Sequence, residues 1–304
     1  MPESNMMSGL AVVEPAVARD GSSASQRLDL DRLTLATDAA PSGGLVDQLR
    51  ELYRQRDLLV LWAMRDVKVR YKQSLLGVAW AILQPLSIML IFTMIFSMIA
   101  RMPSDGLPYP LFSYVALLPW TLLATAFTTA VPSLTANMNL VSKVYFPREI
   151  LPIAAVAASV VDFLVASLIF IVMMVFYGVS VGPAIVWVPV ILLVQLALML
   201  GLTMWASALN VFYRDIRFVV PLVTQLWMYV TPVIYPLSLV PERFRTLYML
   251  NPMASIVESY RRALLLDEPP DFLNLGISAL IALCALCLGY RYFKHAEQRF
   301  ADLI

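Results

Sequence analysis

Asp162 stands in the apolar run ASVVDFLVAS, residues 158–167, and is the one clear acidic residue inside the long apolar segments of this chain. A carboxylate at lipid depth is costly and usually serves a function. Two readings are open. Asp162 can be hydrogen-bonded by Ser, Thr or backbone on a neighbouring helix, or it can couple transport to an ion gradient. Ion-coupled carriers ordinarily carry several intramembrane acids or paired broken helices, and a single Asp is less than that. Cys284 and Cys287 form a C-x-x-C pair within another apolar run, where they read as small packing residues rather than a redox couple. His295 is the single histidine, so no metal-ligand set and no Ser-His-Asp or Cys-His pair can be assembled. There is no G-x-x-x-x-G-K-[ST] phosphate loop. No catalytic residue is assigned, no metal is expected, and the chain is read as a non-enzyme.

The elements that must position Asp162 are membrane spans. The chain has 304 residues, 60% hydrophobic and 14% charged, whereas soluble domains are about half apolar and a quarter charged. Its net charge of +1 says little, because the charges are segregated along the sequence. A spanning helix needs about 20 apolar residues. Six segments qualify: 78–100, 110–136, 150–177, 184–211, 217–237 and 272–290. Cations cluster on one side of these spans, with seven between Arg50 and Lys72, then Lys143, Arg148, Arg214, Arg217, Arg291, Lys294 and Arg299. The other side has Arg101, Arg243, Arg245, Arg261 and Arg262. The positive-inside rule therefore puts both termini in the cytoplasm.

Residues 1–44 are Ser-, Ala-, Gly- and Asp-rich without periodicity and read as a disordered extension. Residues 45–77 mix charge with apolar side chains at helical spacing, beginning with Leu45, Leu49 and Leu52. They fit either a helix lying along the cytoplasmic interface or a plain juxtamembrane anchor. Between the fifth and sixth spans, Thr246–Val257 is uncharged, too short to cross and too apolar for an ordinary loop. Two short helices broken at Asn251–Pro252 satisfy both facts, either dipping in as a re-entrant element or lying on the surface. Aromatic residues collect in the outer half, Tyr114, Trp120, Trp227 and Tyr235 among them. They suit an interfacial belt, and aromatic faces also suit the C–H faces of sugars in a pore.

Four ordered stretches carry a resemblance. RYKQSLLGVAWAILQPL (70–86), NLVSKVYFPREILP (139–152), NVFYRDIRFVVPLVTQLWMYVTPVIYP (210–236) and LNPM (250–253) resemble the ABC-2 type permeases. The branch most similar exports O-antigen, other polysaccharides or teichoic acids, and the likeness covers about residues 45–304. It implies an all-α, six-span, N-in/C-in protein of the bacterial cytoplasmic membrane. Two copies of the chain would pair with two cytoplasmic ABC ATPase subunits, which hold the ATP and Mg. The substrate implied is a glycan on a lipid pyrophosphate carrier, moving through the dimer interface among membrane lipids; no nucleic-acid partner is expected.

The resemblance also implies roles for residues. Residues 139–152 match the helix that docks on the ATPase. Pro147 and Pro152 interrupt helix there, Val144, Tyr145 and Phe146 offer apolar anchors, and Lys143, Arg148 and Glu149 can orient the contact. Residues 241–265 match outer gate helices, with Arg243, Phe244, Tyr248, Asn251, Pro252 and Tyr260. The segment 45–72 matches the interface helix. Alternatives are an exporter of a drug or lipo-oligosaccharide within the same superfamily, and an ion-driven carrier using Asp162.

Overall fold

The computed structural model describes residues 50, 53–72, 77, 79–139 and 146–300. The chain divides after Tyr53, and Arg54–Ile304 forms one unit. Every regular element among the described residues is helical. In chain order the α-helices of eight residues or more are α1 (Arg56–Tyr71), α2 (Ala79–Phe92), α3 (Tyr109–Ala130), α4 (Ile150–Phe176), α5 (Val188–Phe212), α6 (Ile216–Val230), α7 (Glu242–Met249), α8 (Pro252–Arg261) and α9 (Phe272–Phe300). π-helical turns extend α2 through Thr93–Ile99 and follow α8 at Arg262–Leu266.

Among the described residues, five helical stretches are long and apolar enough to cross a membrane: Ala79–Ile99, Tyr109–Ala130, Ile150–Phe176, Pro183–Phe212 and Phe272–Phe300. The fifth of the six expected segments differs from its expected extent of 217–237. It forms only the 15-residue helix α6, about 22 Å at 1.5 Å per residue, against the roughly 30 Å hydrocarbon core. Proline explains the stop. Pro232 drives the residue before it out of helical geometry, and Thr231 is extended at φ −97° and ψ 138°. The chain nonetheless stays inside the protein, since Thr231, Val233 and Ile234 are all buried.

α3 is the central pillar and packs on α2, α4, α5, α6 and α8. Its buried polar groups are satisfied across helices, as an interior facing lipid requires. Tyr114 donates its hydroxyl to the Ala166 carbonyl at 3.1 Å and stacks on Phe170 with ring centroids 6.3 Å apart. Gln195 of α5 donates to the Pro119 carbonyl at 2.7 Å.

The tightest helix pair is α5 with α9, where two glycines let the backbones meet. A Cβ on Gly289 would lie 2.1 Å from the Gly201 carbonyl oxygen, and one on Gly201 would lie 2.4 Å from the Ala285 carbonyl carbon. Small residues at such crossings are the usual device in lipid, where apolar burial alone does not drive helices together. At Gly276, on the same α9, a Cβ would meet nothing within 4 Å. Gly289→Val is expected to cost about 1–3 kcal/mol by overpacking and to lower the thermal midpoint in detergent. Gly276→Ala should leave the midpoint unchanged or slightly raised. Equal midpoints for the two variants would contradict the close-crossing assignment.

Candidate translocation groove, gate and coupling site

Two adjoining cavities of about 290 and about 230 Å³ share Gln84, Thr121 and Thr125. Together they form a groove between α2, α3 and α6, reaching α1 and α4 at one end. Its walls also hold Thr128, Thr224 and Gln225. Thr121 and Thr128 donate to carbonyls of their own helix, at 3.0 and 2.6 Å, which leaves hydroxyl lone pairs unused. Gln84 and Gln225 are exposed and make no hydrogen bond to a described residue. Amides and hydroxyls lining a groove among apolar helices suit a polar solute and serve no purpose toward lipid.

Asp162 lies at the α1 end of this groove. Its carboxylate pairs with the Arg70 guanidinium and accepts a 2.6 Å hydrogen bond from the Tyr71 hydroxyl. Burial, reinforced by the Asp162 carboxylate, pushes the Tyr71 phenol up to about 12. The partners are thus a cation and a phenol from a segment some ninety residues upstream, not Ser, Thr or backbone of a neighbouring span. α1 runs beside α4 in the same direction. Trp62 stacks on Phe146 before α4 begins, Arg65 donates to Asn137 at 3.1 Å, and Arg70 reaches Asp162 in mid-helix.

The aromatic residues divide by environment. Tyr114 is inside the core, committed to Ala166 and Phe170. Trp120 is 4% exposed, lines the groove, and meets Trp227 edge-on with centroids 5.9 Å apart. Tyr235 and Tyr248 hydrogen-bond through their hydroxyls and line a separate cavity of about 450 Å³ with Phe244. Arg243 lies over the Phe244 ring at 4.7 Å.

Asn251 explains the break between α7 and α8. Its Oδ1 accepts from the Met253 amide at 3.2 Å, capping α8, with Pro252 at the first helical position. The same oxygen accepts from Trp227 Nε1 at 2.9 Å, while Nδ2 donates to Thr231 at 3.0 Å. One side chain therefore joins the end of α6 to the start of α8. Tyr260 donates to Gln195 at 3.4 Å. Arg261, which the sequence offered only as an outer cation, is 3% exposed. Its guanidinium sits 3.8 Å from the Phe112 centroid and donates to the Val233 carbonyl at 2.9 Å. Burial lowers its pKa to about 10 against the pull of Glu258, so it stays a cation at neutral pH and holds the irregular chain after α6.

At the opposite end, Lys143, Val144 and Tyr145 fall outside the described residues. Phe146 is buried against Trp62. Arg148 donates to the Glu297 carbonyl at 2.8 Å, and the Glu149 carboxylate meets Lys294 at 2.7 Å. Lys294 also reaches Glu297 at 3.0 Å. Burial and the nearby Glu297 push the Glu149 carboxyl up, opposed by Lys294. Arg148 and Glu149 are thus turned inward onto α9. Trp62, Lys294 and Glu297 completed the cluster without any signal in their own local sequence. Lys294→Met would leave Glu149, 1% exposed, without its cation. It should cost ~3 kcal/mol, and adding Glu149→Gln should restore much of this. A wild-type thermal midpoint for the single variant would mean that the pair carries no stability.

An ABC-2 type transporter family model matches residues 57–265. The chain is 32% identical over 263 residues to the O-antigen export system permease protein RfbA of Myxococcus xanthus, covering 86% of this chain and 100% of that one. An RfbA of Klebsiella pneumoniae is 30% identical over 249 residues, covering 82% of this chain and 95% of its own. The polysialic acid transport protein KpsM of Escherichia coli is 22% identical over 243 residues, 77% and 92% of the two chains. With five helices among the described residues long and apolar enough to cross a membrane, the chain is a multi-pass protein of the bacterial inner membrane and a transport subunit. It belongs to the ABC-2 type transporter family.

Proposed function

We propose that this chain is the membrane subunit of an ATP-driven exporter of a lipid-linked polysaccharide, working as a homodimer with two copies of a cytoplasmic ABC ATPase. The observation that carries the reading is the groove walled by α2, α3 and α6, where hydroxyls and amides stand among apolar side chains, in a chain whose relatives are an O-antigen export permease and a polysialic acid transport protein. Its hydroxyls and amides accept and donate hydrogen bonds to many sugars without fixing one register, as a sliding polymer requires. A second copy facing the groove would close it.

In this reading α6 and the buried residues that follow it complete the fifth of six crossings, with both termini cytoplasmic. α7 and α8 re-enter from the outer side as the gate. Irregular backbone at that depth must be covered by protein, and Asn251 and Arg261 supply the cover at the end of α6. ATP and Mg bind the partner subunit, and force enters through residues 139–152. From there the ties of Phe146 to α1 and of Arg148 and Glu149 to α9 give the movement two routes into the membrane. Asp162, neutralised by Arg70 and Tyr71, lends nothing to an ion-driven alternative.

Two variants test separate parts. Thr125→Trp fills the shared part of the groove and should lower export at least about tenfold, as a 1.4 kcal/mol penalty would, with the ATPase still co-purifying. Undiminished export would remove the groove from the path. Tyr145→Asp should uncouple ATP hydrolysis from export while leaving the thermal midpoint unchanged, because Phe146 keeps its packing on Trp62. Normal export in that variant would sink the docking role of this segment.

A further inference from the structure

A cavity of about 550 Å³ lies between α7, α8 and the start of α9, and no role described above uses it. Its lining combines charges of both signs with leucines at the rim. Two of those charges are already committed. Arg262 holds Glu268 at 3.0 Å and the Pro269 carbonyl at 3.1 Å. Asp271 caps α9, accepting from the Leu273 and Asn274 amides at 3.1 and 3.3 Å.

Of the other three, Glu242 and Arg245 are available. Glu242 is exposed and has no ion-pair partner among the described residues. One turn on, Arg245 has its Nε buried without a hydrogen-bond partner, a costly state for a charged donor unless a ligand reaches it. Glu258, on the cavity wall, is ion-paired with Arg261 at 3.7 Å. Leu250 and Leu273, both lining the cavity, are among the most exposed leucines of this region.

We infer that this cavity is a binding site for a phospholipid with a primary-amine headgroup. Arg245 takes the phosphate, Glu242 takes the ammonium, and Leu250 and Leu273 lie against the acyl chains. A guanidinium one turn from an unpaired carboxylate on the same helix matches a headgroup with an anion and a cation a few bonds apart. The apolar rim requires an amphiphile, which the surrounding membrane supplies. A glycan fits less well, because no aromatic ring lines the cavity to stack on a sugar face. The inference rests on the membrane setting of the proposed function, and it is tested by binding alone, so its failure would leave the export reading standing.

The test is native mass spectrometry of the full chain, delipidated in detergent and titrated with phosphatidylethanolamine, phosphatidylcholine and phosphatidylglycerol of identical acyl chains. Phosphatidylethanolamine should bind one site about tenfold more tightly than the other two, since only its ammonium donates charge-assisted hydrogen bonds to the Glu242 carboxylate. Glu242→Gln should reduce that preference, and Arg245→Gln should weaken all three lipids. Equal affinities for the three lipids in the wild-type chain would overturn the inference, as would a preference that both variants leave intact. Displacement of the lipid by soluble maltohexaose would instead identify a glycan site.

Discussion

Lipid acyl chains neither donate nor accept hydrogen bonds, so each charge and each irregular stretch of backbone in this protein must find its partner within the chain. The pair formed by Asp162 and Arg70 expresses that constraint most directly, with Tyr71 as a second donor to the carboxylate. It fixes the end of α1 against the middle of α4. The same rule governs Arg261, which satisfies the Val233 carbonyl where the helix has stopped, and Gln195, which links α5 to α3 and α8. The groove lining departs from the rule, as do Arg245 Nε and Ser278 Oγ elsewhere. Gln84 and Gln225 keep open amides in the groove, and open amides facing a groove suit a polar passenger.

The helices are held to one another by different means. α3 is locked by core packing, and the Gly201–Gly289 crossing holds α5 on α9 by backbone contact. α8 is packed into the same core through Met253, Ile256, Val257 and Tyr260, and its start is tied to the end of α6 by one asparagine that bonds both Trp227 and Thr231. A close-packed core resists small displacements and moves as a body. The cluster of Phe146, Arg148 and Glu149 sits at the other end, bonded to α1 and α9. A push on the preceding loop would therefore reach two helices together.

Much of the helical framework was legible in the sequence because lipid imposes long apolar segments of a known length. The break at Asn251–Pro252 was legible too, since an Asn before a Pro is a local start signal for a helix. Contacts between distant segments were not. Asp162 announced its need for a partner, but nothing local to Arg70 or Tyr71 marked them as that partner. Lys294 looked like one of several cations following the last span, and its tie to Glu149 depends on how α9 packs. The aromatic residues were ambiguous for the same reason. Composition treats Tyr114 and Trp120 alike, whereas packing buries one in the core and sets the other in the groove wall. The shortness of α6 lay in plain view in Pro232, yet mean hydropathy carried the expected segment through it.

The central claim is that transport by this chain draws on ATP bound by a partner and not on an ion gradient through Asp162. The direct measurement is movement of lipid-linked glycan across vesicles that contain the chain and its ATPase, with ATP supplied and the proton and sodium gradients collapsed by ionophores. Glycan should cross at an undiminished rate, and should stop when ATP is withheld. Transport that persists without ATP and fails on collapse of a gradient would contradict the account.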